Sequence, residues 1–122
     1  MNKKYELITD DFVTIDNRKL YRIKALRDFG DVRKGAIGGY IEKEYNLSHE
    51  YYAWVSEDAK VFENARVFGN AEIFENAQVF GNALVFGNAL VFGSAKVSGN
   101  AKIYGDARVC GAAIISGDSE RY

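Results

Sequence analysis

The sequence predicts an all-β chain: a parallel β-helix of hexapeptide repeats with a small antiparallel β cap at its N-terminal end. Val or Ile recurs every six residues, at Val55, Val61, Val67, Ile73, Val79, Val85, Val91, Val97, Ile103, Val109 and Ile115. An Ala stands two residues before each, unbroken from Ala53 to Ala113. Gly or Glu stands two residues after each, followed in most hexads by Asn or Asp. A six-residue period of this kind is the signature of a parallel β-helix.

Alternate side chains of a strand point to the same side, so Ala and Val/Ile face inward together. The small Ala suits a corner, where the prism narrows, and the β-branched residue fills the flat of each side. Gly and Asn follow at the bend, where φ > 0 is cheap for Gly and tolerable for Asn. Three hexads close one triangular coil, so positions 18 apart become neighbours in a column, with coils stacked at ~4.8 Å. The repeat region from Ala53 onward amounts to about four coils, enough to bury a narrow core by stacking.

Residues 1–35 depart from the hexad and are expected to form the cap, with 36–122 forming the β-helix. Lys4–Ile8 alternates and reads as a strand. Phe12–Ile15 and Leu20–Leu26 flank the turn cluster Asp16-Asn17-Arg18-Lys19 and read as a hairpin. Such a sheet would cover the open end of a solenoid, which otherwise exposes strand edges and core. Gly35-Ala-Ile-Gly-Gly-Tyr-Ile41 is a glycine-rich lead-in, and Ile41 and Leu47 are again six apart, so coiling should begin there. Leu47 to Val55 is eight residues, so His49–Tyr52 should carry a two-residue insertion that bulges outward. Gly117–Tyr122 offers no obvious cap; the last coil is expected to be open, frayed or paired with another chain.

The net charge of −1 provides no strong global field for nucleic acid or membrane. Residues 1–35 hold nine Lys/Arg against six Asp/Glu, a mild basic bias. The single Cys110 cannot form an internal disulfide and suits a reducing compartment. Its slot faces outward. The sequence shows no signal peptide and no long apolar run, and a cytoplasmic location is expected.

Lys4-Tyr-Glu-Leu7, Leu20–Arg27, Val32-Arg-Lys-Gly35, Gly38-Gly39, Ile41-Glu42, Asn46-Leu-Ser48 and Ala53-Trp-Val55 form a connected series. Together with the hexads this series resembles a family of small phage and prophage hexapeptide-repeat, transferase-like proteins, over nearly the whole chain. The resemblance implies a left-handed helix, a mobile-element origin and the cytoplasm of a bacterial host. It transfers no catalytic residue to a position here. Small phage proteins of this kind often act by occupying a host complex. Some inhibit bacterial defence, CRISPR effectors included, so an anti-CRISPR-like role is an expectation that follows from the resemblance.

Hexapeptide acyltransferases typically need a His general base and an extended loop beside the acyl-CoA channel. This chain has one His, His49, and no long insertion after residue 53. His49 reads as a surface or corner residue without an obvious carboxylate to orient it. One His cannot supply a three-His zinc site. No nucleophile elbow, P-loop or dinucleotide fingerprint is present. No catalytic, cofactor-binding or metal-ligating residue is therefore assigned.

The position after each core Val/Ile should face solvent. It holds Phe62, Phe68, Phe74, Phe80, Phe86 and Phe92, then Ser98, Tyr104, Cys110 and Ser116. Sorted by 18, these give the columns Phe62–Phe80, Phe68–Phe86–Tyr104 and Phe74–Phe92, whose stacked pairs contribute about 0.5–1 kcal/mol each. Leu84 and Leu90 also face outward, where neighbouring hexads carry Lys60, Arg66, Glu72, Lys96 and Lys102. The middle coils thus present apolar surface on two adjacent sides, the usual mark of an interface. Trp54, with Tyr51 and Tyr52, is a second candidate contact. The expected role is non-enzymatic protein binding, to a host complex or to further copies of the chain as a homo-oligomer. A nucleotide-sequestering protein and a degenerate acyltransferase are the alternatives.

Overall fold

A computed structural model describes residues 3–122 of the chain; the first two residues of the expected 1–35 cap lie outside the described residues. The chain is a parallel β-solenoid of about five turns, led by antiparallel strands. Strands β1 (Tyr5–Ile15) and β2 (Arg18–Ala25) form a hairpin, and β2 pairs antiparallel with β3 (Ile37–Ile41). Twelve two-residue strands follow at six-residue spacing. The first side of the prism continues from β3 through β5 (Lys60–Val61), β8 (Gln78–Val79), β11 (Lys96–Val97) and β14 (Ile114–Ile115). The second stacks β4 (Trp54–Val55), β7 (Glu72–Ile73), β10 (Leu90–Val91) and β13 (Arg108–Val109). The third stacks β6 (Arg66–Val67), β9 (Leu84–Val85), β12 (Lys102–Ile103) and β15 (Glu120–Arg121).

The hexad core is as the spacing predicts. Every Ala from Ala53 to Ala101 and every Val/Ile from Val55 to Ile103 is fully buried. Coils are joined by backbone bonds such as Lys60 N–H to Ala77 O (2.9 Å) and Phe62 N–H to Val79 O (3.0 Å). Coiling begins at Ile41, which pairs with Val61, and Leu47 bridges to Val67. Both partners are 20 apart rather than 18, because of the two-residue insertion, whose Tyr51 and Tyr52 are 67% and 57% exposed.

Three local expectations change. The two short strands expected within residues 4–15 are one strand, β1, with a bulge: Ile8 pairs with Arg22 and Phe12 already with Tyr21. Thr9, Asp10 and Asp11 are exposed and leave the ladder without breaking the strand. The left-handed bend residue is the Gly/Glu slot alone, not the Asn after it. Glu57, Glu63 and Glu75 adopt φ of 56°, 57° and 58° there.

The strain at those glutamates is offset by their own side chains. Glu57 Oε1 accepts the N–H of Glu75 (3.0 Å), Glu63 Oε1 that of Gly81 (2.9 Å), and Glu75 Oε1 that of Gly93 (2.8 Å). Each carboxylate thereby satisfies the bend N–H one coil onward, a charge-assisted bond that Gly cannot provide. Where Gly fills the slot, coils pack backbone to backbone: a Cβ on Gly87 would lie 2.8 Å from the Gly105 nitrogen.

The third change concerns the final hexad. Ser119 takes the Ala slot and Arg121 the slot of Ile103, yet β15 still pairs with β12. Tyr122 stacks on Tyr104 with centroids 5.3 Å apart.

Candidate interaction surface and the cap

The three aromatic columns form as the 18-residue spacing requires. Phe62 stacks on Phe80 (5.0 Å), Phe68 on Phe86 (4.8 Å), Phe74 on Phe92 (4.8 Å) and Phe86 on Tyr104 (5.2 Å), all with interplanar angles of 8° or less. Tyr122 lengthens the Phe68 column to four rings. Arg66 lies over the Phe68 ring at 5.4 Å and over the Tyr45 ring at 4.9 Å, capping that column with a cation.

Two expected surface residues are internal. Phe62 is 5% exposed, covered by Leu20 and Tyr40, with Val13 and Ile15 of the hairpin packed alongside. The hairpin extends the first side of the prism and folds its inner face over that column, so a residue that faces outward in the repeat faces inward in the molecule. Trp54 is 6% exposed, held edge-on by Tyr5 (6.4 Å) and Phe29 (5.2 Å) in the cap core. Phe68, Phe74, Phe80, Phe86, Phe92, Tyr104, Leu84 and Leu90 are half-buried by their column neighbours. Leu84 stands in register between Arg66 and Lys102, and Leu90 between Glu72 and Arg108. Both leucines belong to the same coil, on adjacent sides, flanked by Phe86 and Phe92.

The end of the core is closed by residues that the repeat pattern does not mark. Tyr5 is fully buried and donates its phenol to the Leu47 carbonyl (2.6 Å) and the Glu44 carbonyl (3.1 Å). Burial and the nearby Glu44 charge push that phenol above its ordinary range. Asn46 is fully buried with all its polar capacity engaged. Its Oδ1 accepts Glu42 N–H (3.1 Å) and Lys43 N–H (2.9 Å), while its Nδ2 donates to Glu63 O (3.2 Å) and Ala65 O (2.8 Å). The side chain stands in for backbone at the corner of the first coil.

His49 stacks on Tyr5 (4.1 Å, 13°). Its Nδ1 accepts the Lys4 backbone N–H (3.1 Å), which assigns the ring proton of the neutral form to Nε2, facing Glu44 Oε1 at 2.8 Å. Glu44 is the carboxylate orienter that sequence spacing did not reveal, and the bond to His49 lowers the Glu44 pKa. Both ring nitrogens are committed to holding the cap. Among the described residues no group of three or more His, Cys, Asp or Glu is placed to hold a metal ion. Cys110 is exposed, as its slot predicts.

Lys4 is fully buried, donating to the Tyr51 and Ala53 carbonyls, with its ammonium 4.9 Å from the Phe29 ring centroid. Burial, aided by the Arg27 charge, lowers its pKa from 10.5 to about 7. The unfolded chain therefore binds more protons than the folded one between these values. Folding stability should rise with pH from about 7 toward 10.5, by at most about 1.4 kcal/mol per pH unit. Urea midpoints measured across this window should climb for the native chain, and Lys4→Met should flatten that component.

Residues 77–93 and 101–117 match the family model described as the YdcK beta solenoid repeat. The hexads are similar to that repeat. The two matched stretches lie in the coils after β7 and cover well under half the chain, so the likeness concerns the solenoid and leaves the cap unmatched. No curated protein matches the chain.

Proposed function

We propose that the chain is a non-catalytic binding protein of the phage and prophage kind that its N-terminal series resembles, acting by occupying a surface of a host protein complex. The observation that carries this reading is the pairing of Leu84 and Leu90 in one coil, on adjacent sides, between charged neighbours above and below. A structural explanation based on stacking covers the aromatic columns, since each ring shields the next. It does not cover two leucines whose column neighbours are Arg66, Lys102, Glu72 and Arg108. The stacked backbone makes this surface rigid, so little ordering entropy opposes association. An anti-CRISPR-like role is the specific form of the reading. The engagement of both His49 nitrogens within the cap favours binding over acyl transfer.

The test is a tagged pull-down from bacterial lysate at physiological salt, beside a Leu84→Lys/Leu90→Lys double variant whose circular dichroism matches the native chain. A stoichiometric host complex that the double variant loses is the expected result. An eluate holding only this chain, with an oligomer that the double variant converts to monomer in sedimentation, would replace the reading with self-assembly.

A further inference from the structure

The three sides of the prism differ in what lies over their aromatic columns. On the first, Leu20 and Tyr40 of the cap, with Val13 and Ile15, pack against Phe62 and Phe80. On the second, Leu90 stands between Glu72 and Arg108, one charge of each sign. The third side carries the longest column, Phe68, Phe86, Tyr104 and Tyr122. Its last ring, Tyr122, is 81% exposed, and Tyr45 at the other end is 53% exposed.

Beside this column runs a second one, Arg66, Leu84, Lys102 and Glu120, in register coil by coil. Leu84 therefore has a cation on each side of it along the axis. Among the described residues neither Arg66 nor Lys102 forms a salt bridge. The one carboxylate of the row, Glu120, accepts the Tyr104 phenol (2.9 Å). Arg66 is fixed against the Tyr45 and Phe68 rings.

A cation–leucine–cation row selects its occupant by charge. A two-fold contact with a second copy, centred on Leu84, sets Arg66 against Lys102. Centred between Leu84 and Lys102, it sets leucine against lysine. Like charges in contact and a desolvated ammonium both oppose association. Two cations are too few to hold an anionic bilayer surface. Carboxylates flanking an apolar residue satisfy the row, and the spacing selects a helix to carry them. Arg66 and Lys102 are two coils apart, about 9.6 Å at a stacking distance of ~4.8 Å. Seven residues of α-helix rise about 10.5 Å, and one turn about 5.4 Å, close to one coil. Alternate residues of a strand step about 6.6 Å and fall out of phase with the coils.

We propose that the third side docks an acidic amphipathic helix lying along the solenoid axis. Two of its carboxylates, one on each side of an apolar residue, meet Arg66 and Lys102, and that apolar residue meets Leu84 and Phe86. The inference rests on the binding role proposed above and names the chemistry of the partner.

The probe is a fluorescein-labelled peptide of about 18 residues, long enough to hold a helix. It carries a leucine stripe with two glutamates seven positions apart. A second peptide has glutamine at those two positions, and a third has lysine. Anisotropy is followed as the full chain is added. The glutamate peptide should saturate, and the glutamine peptide should bind about fivefold more weakly, as two exposed ion pairs allow. Arg66→Glu/Lys102→Glu should weaken the glutamate peptide about tenfold or more and turn the preference toward the lysine peptide. Both side chains are exposed, so the fold should survive the reversal, which circular dichroism checks.

No saturation by the glutamate peptide, equal binding of the glutamine peptide, or an unchanged preference in the reversed variant would overturn the inference. So would a dimer in sedimentation that the reversed variant loses, which assigns the side to a second copy. In the lysate, a host complex lost with Leu84→Lys/Leu90→Lys but kept by the reversed variant would overturn this docking and leave the binding role standing. Charge-selective peptide binding with no host complex captured would support the docking and overturn that role.

Discussion

Asn46→Asp should cost the fold about 3–5 kcal/mol, one of the two largest effects expected of a single substitution here. The native amide donates to Glu63 O and Ala65 O and accepts from Glu42 N–H and Lys43 N–H. A carboxylate keeps the acceptor side but turns an oxygen toward two carbonyl oxygens, in a site with no exposure to water. Charge and repulsion then act together. The substituted carboxyl would have a folded pKa above its unfolded value of about 3.9, so the defect should deepen as pH rises beyond that value. Urea denaturation at two pH values checks the size and the sign. Amide exchange should show the loss concentrated at residues 41–47.

Gly38→Ala should be comparably damaging, about 3 kcal/mol, at the upper end of overpacking. A Cβ at Gly38 would lie 2.5 Å from the Val55 carbonyl oxygen, 2.7 Å from Ile23 Cγ1 and 2.8 Å from Trp54 Cζ2. The first contact is backbone and cannot rotate away. The other two belong to the plug of the core end. Gly39 is hemmed in similarly, 2.7 Å from Ala59 O and 2.8 Å from Val55 Cγ1. These two glycines let β3 cross the end of the prism close enough to pair with β5 on one edge and β2 on the other. A thermal melt should show the drop, and exchange at residues 53–61 should rise with it.

The solenoid was legible because its core is written in residue type at fixed spacing. Ala, then Val or Ile, then Gly or Glu needs no long-range information to be read. The cap was legible only as alternation and turn residues, which place strands but not what they cover. Phe62 and Trp54 differ from expectation for that reason: the hexad orients them outward, and only the path of the hairpin and of the turn at Phe29 decides that outward is inside. Tyr5, Lys4 and Asn46 carry no periodic signal. A buried lysine and a fully bonded asparagine are single positions, each tied to a carbonyl far along the chain, as the bonds of Lys4 to Ala53 and Asn46 to Ala65 show. Glu44 was invisible as a partner of His49 because a five-residue separation means little until the local 3₁₀ turn at Glu44–Asn46 is known. The corner glutamates were legible as departures from Gly, and their use one coil onward could have been sought at the same 18-residue interval that sorted the aromatics.

The seven-stranded sheet that joins the hairpin to the first side of the prism has a consequence for how the molecule comes into being. The hairpin and its pairing with β3 use contacts local in sequence and require no completed coil. That leaves a ready edge on which β5 can settle, then β8, β11 and β14 in turn. Each new layer needs only the one synthesised just before it, because partners are separated by 18 or 20 residues throughout. Within the stack, assembly can therefore keep pace with a ribosome that releases the chain from its N-terminus, and only the buried cap residues, such as Lys4 with its bond to Ala53, wait for partners synthesised later. The cap is the template on which the stack is laid down.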